Sequence, residues 1–348
     1  MALLNPFLRT ARPRRRPSPL PFGLPGDGDV LLDAPDERLG PVLVAAARGE
    51  YRPAAALLAA TREGAEWDRR DRYATRLARF ARFRPEWLQL WSAAAPRDAG
   101  ALLVRARLAV DRCWESPAPA ELLHLAHPPV LAALEHGGPD PVPWRVALDR
   151  VRGTAAPYAE FARLWREAVR RDPHHYGCHV AALAHLAAAS PGAHRECLDF
   201  AETAAQDAPL DALVQALPLR AAFTCLSEGD PAEGDPAGAV RVRLHAAADR
   251  AVALSSLSGP PDPWTARLRN MLAYVLVRLE RPRDALEEFR RTGPYATSFP
   301  WDGDTEDPLG RFLTVRGDVR TAVAQAGPAT GIGRPAGGRC GRLRRMEH

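Results

Sequence analysis

Apolar positions along the chain recur at three- and four-residue spacings in about fifteen separate stretches, and runs that alternate apolar with polar are almost absent. The first spacing places apolar side chains on one face of a helix, and the second would mark a half-buried strand. The pattern therefore predicts an all-α fold. Helices are expected near 36–48, 52–63, 67–82, 85–95 and 98–115, then near 144–152, 157–172, 175–189, 192–207, 210–228, 237–256, 263–279, 282–292 and 308–325. The clearest is 263–279, where Leu268, Met271, Leu272, Val275, Leu276 and Leu279 step along one face.

Proline and glycine punctuate this pattern. Seven prolines between Pro117 and Pro143 read as a hinge. The chain divides into four segments: a flexible Pro/Arg-rich arm over 1–35, an N-terminal helical subdomain over 36–143, a C-terminal helical subdomain over 144–293, and an irregular acidic loop, short helix and disordered Gly/Arg-rich tail over 294–348. Alanine, the strongest helix former, makes up nearly a fifth of the 348 residues, which strengthens the helical reading.

The connections carry traces of one repeat. Gly49, Tyr51, Ala54 and Leu58 match the turn and second helix of a tetratricopeptide repeat. Leu272, Ala273 and Leu276, followed by Ala285 and Phe289, match a fuller one, and Trp165, Ala168 and Pro173 match the end of a third. More specific is the run from Arg171 to His179, Arg-Asp-Pro-His-His-Tyr-Gly-Cys-His, followed by Cys197 to Ala205. With Pro21 to Pro25 and Leu272 to Val277, it resembles a TPR-like helical family of high-GC bacteria to which no activity is assigned. The resemblance covers most of 21–315 and implies an α-solenoid of divergent helix hairpins, each covering the apolar face of the last.

The net charge of +5 is unevenly distributed. Residues 1–25 hold five arginines and no acid, and 316–348 hold seven arginines against two acids, so 26–315 carries −5. Nucleic-acid association is thus confined to the Arg-rich ends. All 47 basic residues are arginine, which excludes chemistry that needs a lysine amine. No apolar run is long enough for a membrane span and no secretory signal is present, so a cytoplasmic location is expected. The five cysteines, with no C-x-x-C pair, predict reduced thiols, buried except at Cys340.

Candidate chemistry concentrates around the histidines. His175 and His179 stand four apart on one helix, and His194 with Cys197 opens the next, so these four are the candidate metal ligands, with Asp172 or Glu196 beside them. The glutamate of an H-E-x-x-H motif is missing. The acidic run Asp302 to Asp307 lacks the glycine and glutamate of a calcium loop. The tryptophans read mainly as inter-helix packing, with Trp87 and Trp91 the pair placed for partial exposure, and Arg79, Arg82 and Arg84, interleaved with Phe80 and Phe83, fit either an anion-binding edge or an amphipathic helix rim. With no nucleophile elbow, Walker A or dinucleotide motif, the expectation is a non-enzymatic scaffold without a cofactor. It would hold a peptide or helix of a partner protein in a concave groove through Tyr158, Trp165, His175, Tyr176 and His179. The alternatives are a metal protein or enzyme centred on His175 and His179, and nucleic-acid binding through the tails.

Overall fold

The computed structural model describes residues 23–154, 158–189, 193–227, 238–259, 262–303 and 306–326. The expected features of residues 1–22 and 327–348, Cys340 among them, lie outside the described residues. Within them the fold is all-α. Seventeen helices run as α1 (Leu39–Ala47), α2 (Arg52–Glu63), α3 (Trp67–Phe83), α4 (Glu86–Ala94), α5 (Ala99–Trp114), α6 (Pro119–Leu122), α7 (His127–Gly137), α8 (Val142–Arg152), α9 (Tyr158–Arg171), α10 (Tyr176–Ala189), α11 (His194–Asp207), α12 (Leu217–Ser227), α13 (Ala239–Leu257), α14 (Pro263–Arg278), α15 (Pro282–Thr292), α16 (Ser298–Trp301) and α17 (Pro308–Gln325). Two two-residue strands, β1 (Leu31–Leu32) and β2 (Tyr295–Ala296), pair in parallel.

Two differences from the sequence expectation arise from proline and from long-range pairing. The 116–143 stretch is not a hinge: α6 and α7 form there and pack on α5 and α8, and one apolar core runs from Ala74 to Ala182 through Val130 and Ala133. Pro119, Pro128, Pro129 and Pro143 occupy first helical turns, where no backbone N–H bond is lost, and Pro117, Pro139 and Pro141 lie in the connections before helices. Residues 23–35, expected as arm, form an ordered strap instead. Leu24 and Val30 are buried in the C-terminal core, β1 lies against β2, and Asp33 accepts from the Ser298 N–H while pairing with Arg76 at 2.9 Å. Asp36 pairs with Arg72 and accepts from the Tyr73 hydroxyl. The strap thereby ties α3, near the start of the helical array, to α16 near its end.

From α8 onward the helices alternate. α8 packs on α10, α10 on α12, and α12 on α14, while α9, α11, α13 and α15 pack between or behind them. Trp87 and Trp91 are buried, Trp91 stacked on Tyr51 and lying against Gly100, so the expected exposed pair is a core pair. In the C-terminal core, buried Asn270 accepts from Trp301 Nε1–H at 2.8 Å and donates to the carbonyls of Ala266 and Tyr295, which locks α14 to β2 and α16.

α3 is fixed by a buried ion pair. Arg70 Nε reaches Asp140 Oδ2 at 2.5 Å with both side chains 1% exposed, a second N–H meets the Leu58 carbonyl, and Asp140 also accepts from the Val142 N–H at the start of α8. Removing one member leaves the other charge buried without its partner. Asp140→Ala is expected to lose about 3–5 kcal/mol in urea unfolding, whereas Arg70→Met combined with Asp140→Ala loses less than Asp140→Ala alone.

Candidate functional site

The inner helices α3, α8, α10, α12 and α14 bring together residues that lie far apart in sequence. At the base, Arg107 reaches both Asp149 (2.5 Å) and Asp111, and Arg145 reaches Asp149 at 3.1 Å and Asp71 at 3.4 Å. Burial opposes the Asp149 charge, but Arg145, Arg107 and Arg152 outweigh it and hold its carboxyl below the ordinary range. Burial likewise opposes the Arg107 charge, and Asp149 and Asp111 more than restore it. These acids and arginines neutralise one another and so form a structural base.

The first turn of α10 sits on that base. Gly177 permits it, because a Cβ there would collide with the Asp71 carboxylate and press on His175 and Arg145. His175 is fully buried. Its Nδ1 accepts the Cys178 N–H at 3.2 Å and has Cys178 Sγ at 3.1 Å, while its Nε2 faces Asp68 Oδ1 at 3.7 Å. That file of thiol, imidazole and carboxylate has the connectivity of a nucleophilic triad but not its electrostatics. Burial, reinforced by Asp71, pushes the Cys178 thiol well above its usual value, which disfavours the thiolate. Burial also raises the Asp68 carboxyl, against the opposing pull of His175 and of the Tyr176 N–H bond.

The structure separates the five residues expected to bind a partner. His175 is inaccessible. His179 is 5% exposed, donates Nδ1–H to the His175 carbonyl at 3.0 Å and lies between Trp165 and Phe200. Tyr158 is 72% exposed and, with Phe161, stacks on His185. Tyr176 alone turns to the inner side, against Trp264 at 4.8 Å between ring centres. His175 and His179 thus face different neighbours rather than one point. Among the described residues, no group of three or more His, Cys, Asp or Glu could hold a metal ion.

Sequence reasoning missed Arg220 and Arg267. Arg220 lies 5.2 Å from the Phe223 ring centre and 4.5 Å from that of Phe299, and Arg267 lies 4.9 Å from Phe299. Neither guanidinium makes a hydrogen bond or ion pair among the described residues. Arg267 is exposed, yet burial is the first cause of its depressed pKa, followed in the same direction by Arg79, Arg145 and Arg76. A side chain that meets water while protein surrounds it occupies a recess. Half-buried Arg220 is affected more: burial, with Arg267 and Arg152, brings it to about 10. Both remain cationic at neutral pH. Tyr176, Phe223, Trp264 and Phe299, each half-buried, line the same recess. Of the expected arginine edge, Arg82 pairs with Glu115 and Arg84 with Glu86, and only Arg79 lies near enough to influence Arg267. The only sequence signal for the recess was the arginine spacing on α12 and α14, which looks like any helix rim.

Comparison with protein-family models, with curated proteins and with solved structures returns no match.

Two substitutions test this geometry. Gly177→Ala is expected to cost about 1–3 kcal/mol in urea unfolding, because the new methyl must displace the Asp71 carboxylate from Arg145. Burial lowers the His179 pKa, so the unfolded chain takes up this proton first as pH falls; its contribution is complete above the unfolded value near 6.5 and declines below it, by at most about 1.4 kcal/mol per pH unit. Buried Asp68 works in the opposite sense in wild type and variant alike. Unfolding free energies at pH 7.5 and 5.5 should therefore differ less in His179→Met than in wild type.

Proposed function

We propose that this chain is a non-enzymatic interaction protein, an α-solenoid of divergent TPR-like hairpins, that holds a peptide or helix of a partner protein against its inner face. One observation carries this reading: two arginines without an acidic partner stand over half-buried aromatic rings in a recess lined by α10, α12 and α14. Leaving a guanidinium partly desolvated and unpaired costs stability, and an incoming acidic segment would relieve that cost. Tyrosine, tryptophan and arginine are also the side chains that most often dominate binding energy at protein interfaces.

The alternation of helices from α8 to α15 supports the solenoid part, and the close packing of α14 on α15 places Ala273 and Ala285 in the core where two helices cross. No helix is long and apolar enough to cross a membrane among the described residues. A reducing compartment such as the cytoplasm fits the buried thiols of Cys113, Cys178, Cys197 and Cys225. An enzyme built on Cys178, His175 and Asp68 is disfavoured by the inaccessible, high-pKa thiol.

A photo-crosslinking residue at position 264, compared with one at exposed position 158, tests the reading in native extract. The expected result is a crosslink from 264 to one partner segment and none from 158. Crosslinking from 158 alone would move the docking surface to the outer aromatic patch of α9 and α10, and none from either would remove the reading.

A further inference from the structure

Within the recess, the positions of the charges specify more than a general acidic partner, and the subsite inferred from them rests on the interaction reading of the inner face. We propose that Arg220 and Arg267, with the Tyr176 hydroxyl, form a subsite for one doubly charged oxyanion, the phosphoryl group of a phosphorylated side chain on the partner protein. Both guanidinium carbons lie within 5 Å of the centre of one ring, that of Phe299, at 4.5 and 4.9 Å, so one aromatic side chain gathers both cations. Arg220 lies over the Phe223 and Phe299 rings and Arg267 over Phe299, contacts that use no N–H, and the forks make no bond to the protein among the described residues.

The charge count favours a dianion over a carboxylate. Of the other cations of the inner face, Arg76 is paired with Asp33, and Arg145 with Asp71 and Asp149. Arg152 stacks at 4.2 Å on Trp114. Arg220 and Arg267 repel each other, a repulsion felt by Arg220, and Arg79 and Arg152, which likewise make no ion pair among the described residues, add to the positive field around them. One carboxylate offsets one of the two charges, whereas a phosphoryl group offsets both from a single centre and accepts from two planar forks. The Tyr176 hydroxyl makes no hydrogen bond among the described residues, and the burial that raises its pKa keeps it a proton donor. Among the described residues, the acids that act on this cluster are Asp68, on Tyr176 and itself shifted toward its neutral form, and Asp302, on Arg220 without an ion pair.

The test uses the full chain with inorganic phosphate and with acetate, read by thermal unfolding and by calorimetry. Phosphate is expected to raise the Tm saturably in the millimolar range and acetate to leave it unchanged. In Arg220→Gln and Arg267→Gln the phosphate shift should fall at least tenfold in apparent affinity, whereas Arg166→Gln on α9 should keep it. Arg220→Met adds a readout that a merely structural arginine would not give: without phosphate its Tm should rise by about 2 °C, because a desolvated charge has been removed, while the response to phosphate is lost. Equal shifts with acetate, no saturable shift, or a shift retained in both Gln variants would overturn the subsite. In native extract, phosphatase treatment should abolish the crosslink from position 264, and an undiminished crosslink would overturn the phosphorylated partner as its source. A crosslink insensitive to phosphatase in a protein that ignores phosphate leaves the interaction reading standing without this inference. Phosphate binding without any crosslink would overturn the phosphorylated partner together with the interaction reading and leave a site for the free anion alone.

Discussion

A guanidinium group taken out of water must find acceptors for its N–H bonds, and the arrangement of this protein turns on where that requirement is met. Every basic side chain is arginine, so each buried cation brings five donors in a fixed plane. Arg70 meets the demand with Asp140 and a carbonyl and fixes α3 to the start of α8. Arg107 meets it with Asp149 and Asp111 and joins α5 to α8, with Arg145 beside them as an ion pair to Asp149. Arg269 meets it almost entirely with carbonyls, from Ser255, Ser258, Gly259 and Arg291, which ties α14 to the turns at its flanks. These arginines act as fasteners, and of the helices they hold, α8 packs on α10 and α14 itself lines the recess.

Against that background Arg220 and Arg267 stand out, because the fold that supplies acceptors to Arg70, Arg107 and Arg269 supplies none to these two among the described residues. Aromatic rings take the place of acceptors. A ring face supports a cation without saturating its donors. The base of acid–arginine pairs beneath α10 keeps the recess rigid, and Gly177 lets the first turn of that helix come down onto it, which is what swings Tyr176 toward Trp264. Rigid scaffolding, aromatic walls and unsatisfied donors thus arise from one set of packed helices.

Much of the fold was legible in the sequence and little of the recess was. Helices with strong three-four spacing, such as α14, were read almost to the residue, since their apolar stripe is a local property. The prolines before α7 and α8 read as breaks because sequence alone does not say whether a proline lies within a helix or at its first turn. Leu24 and Val30 fall in a Pro/Arg/Gly-rich stretch read as a flexible arm, and the distant C-terminal core is what buries them. The histidine run drew attention for its chemistry, yet His175 and His179 are buried and serve the packing of α10. Arg220 and Arg267 stand on α12 and α14 with α13 between them in sequence, so nothing short of tertiary structure places both against Phe299.

The strap has a kinetic side. Asp33 and Ser298 meet across 265 positions of chain, and Asp27 and Arg316 across 289, which makes these among the least local contacts in the molecule. A chain leaving the ribosome can build its helix pairs one after another, but it cannot join its two ends until the last helices have emerged. The join itself is modest, two residues of strand with a few ion pairs around it. The most remote contacts are thus also among the smallest, and the array of helices exists as an open form before it exists as a closed one.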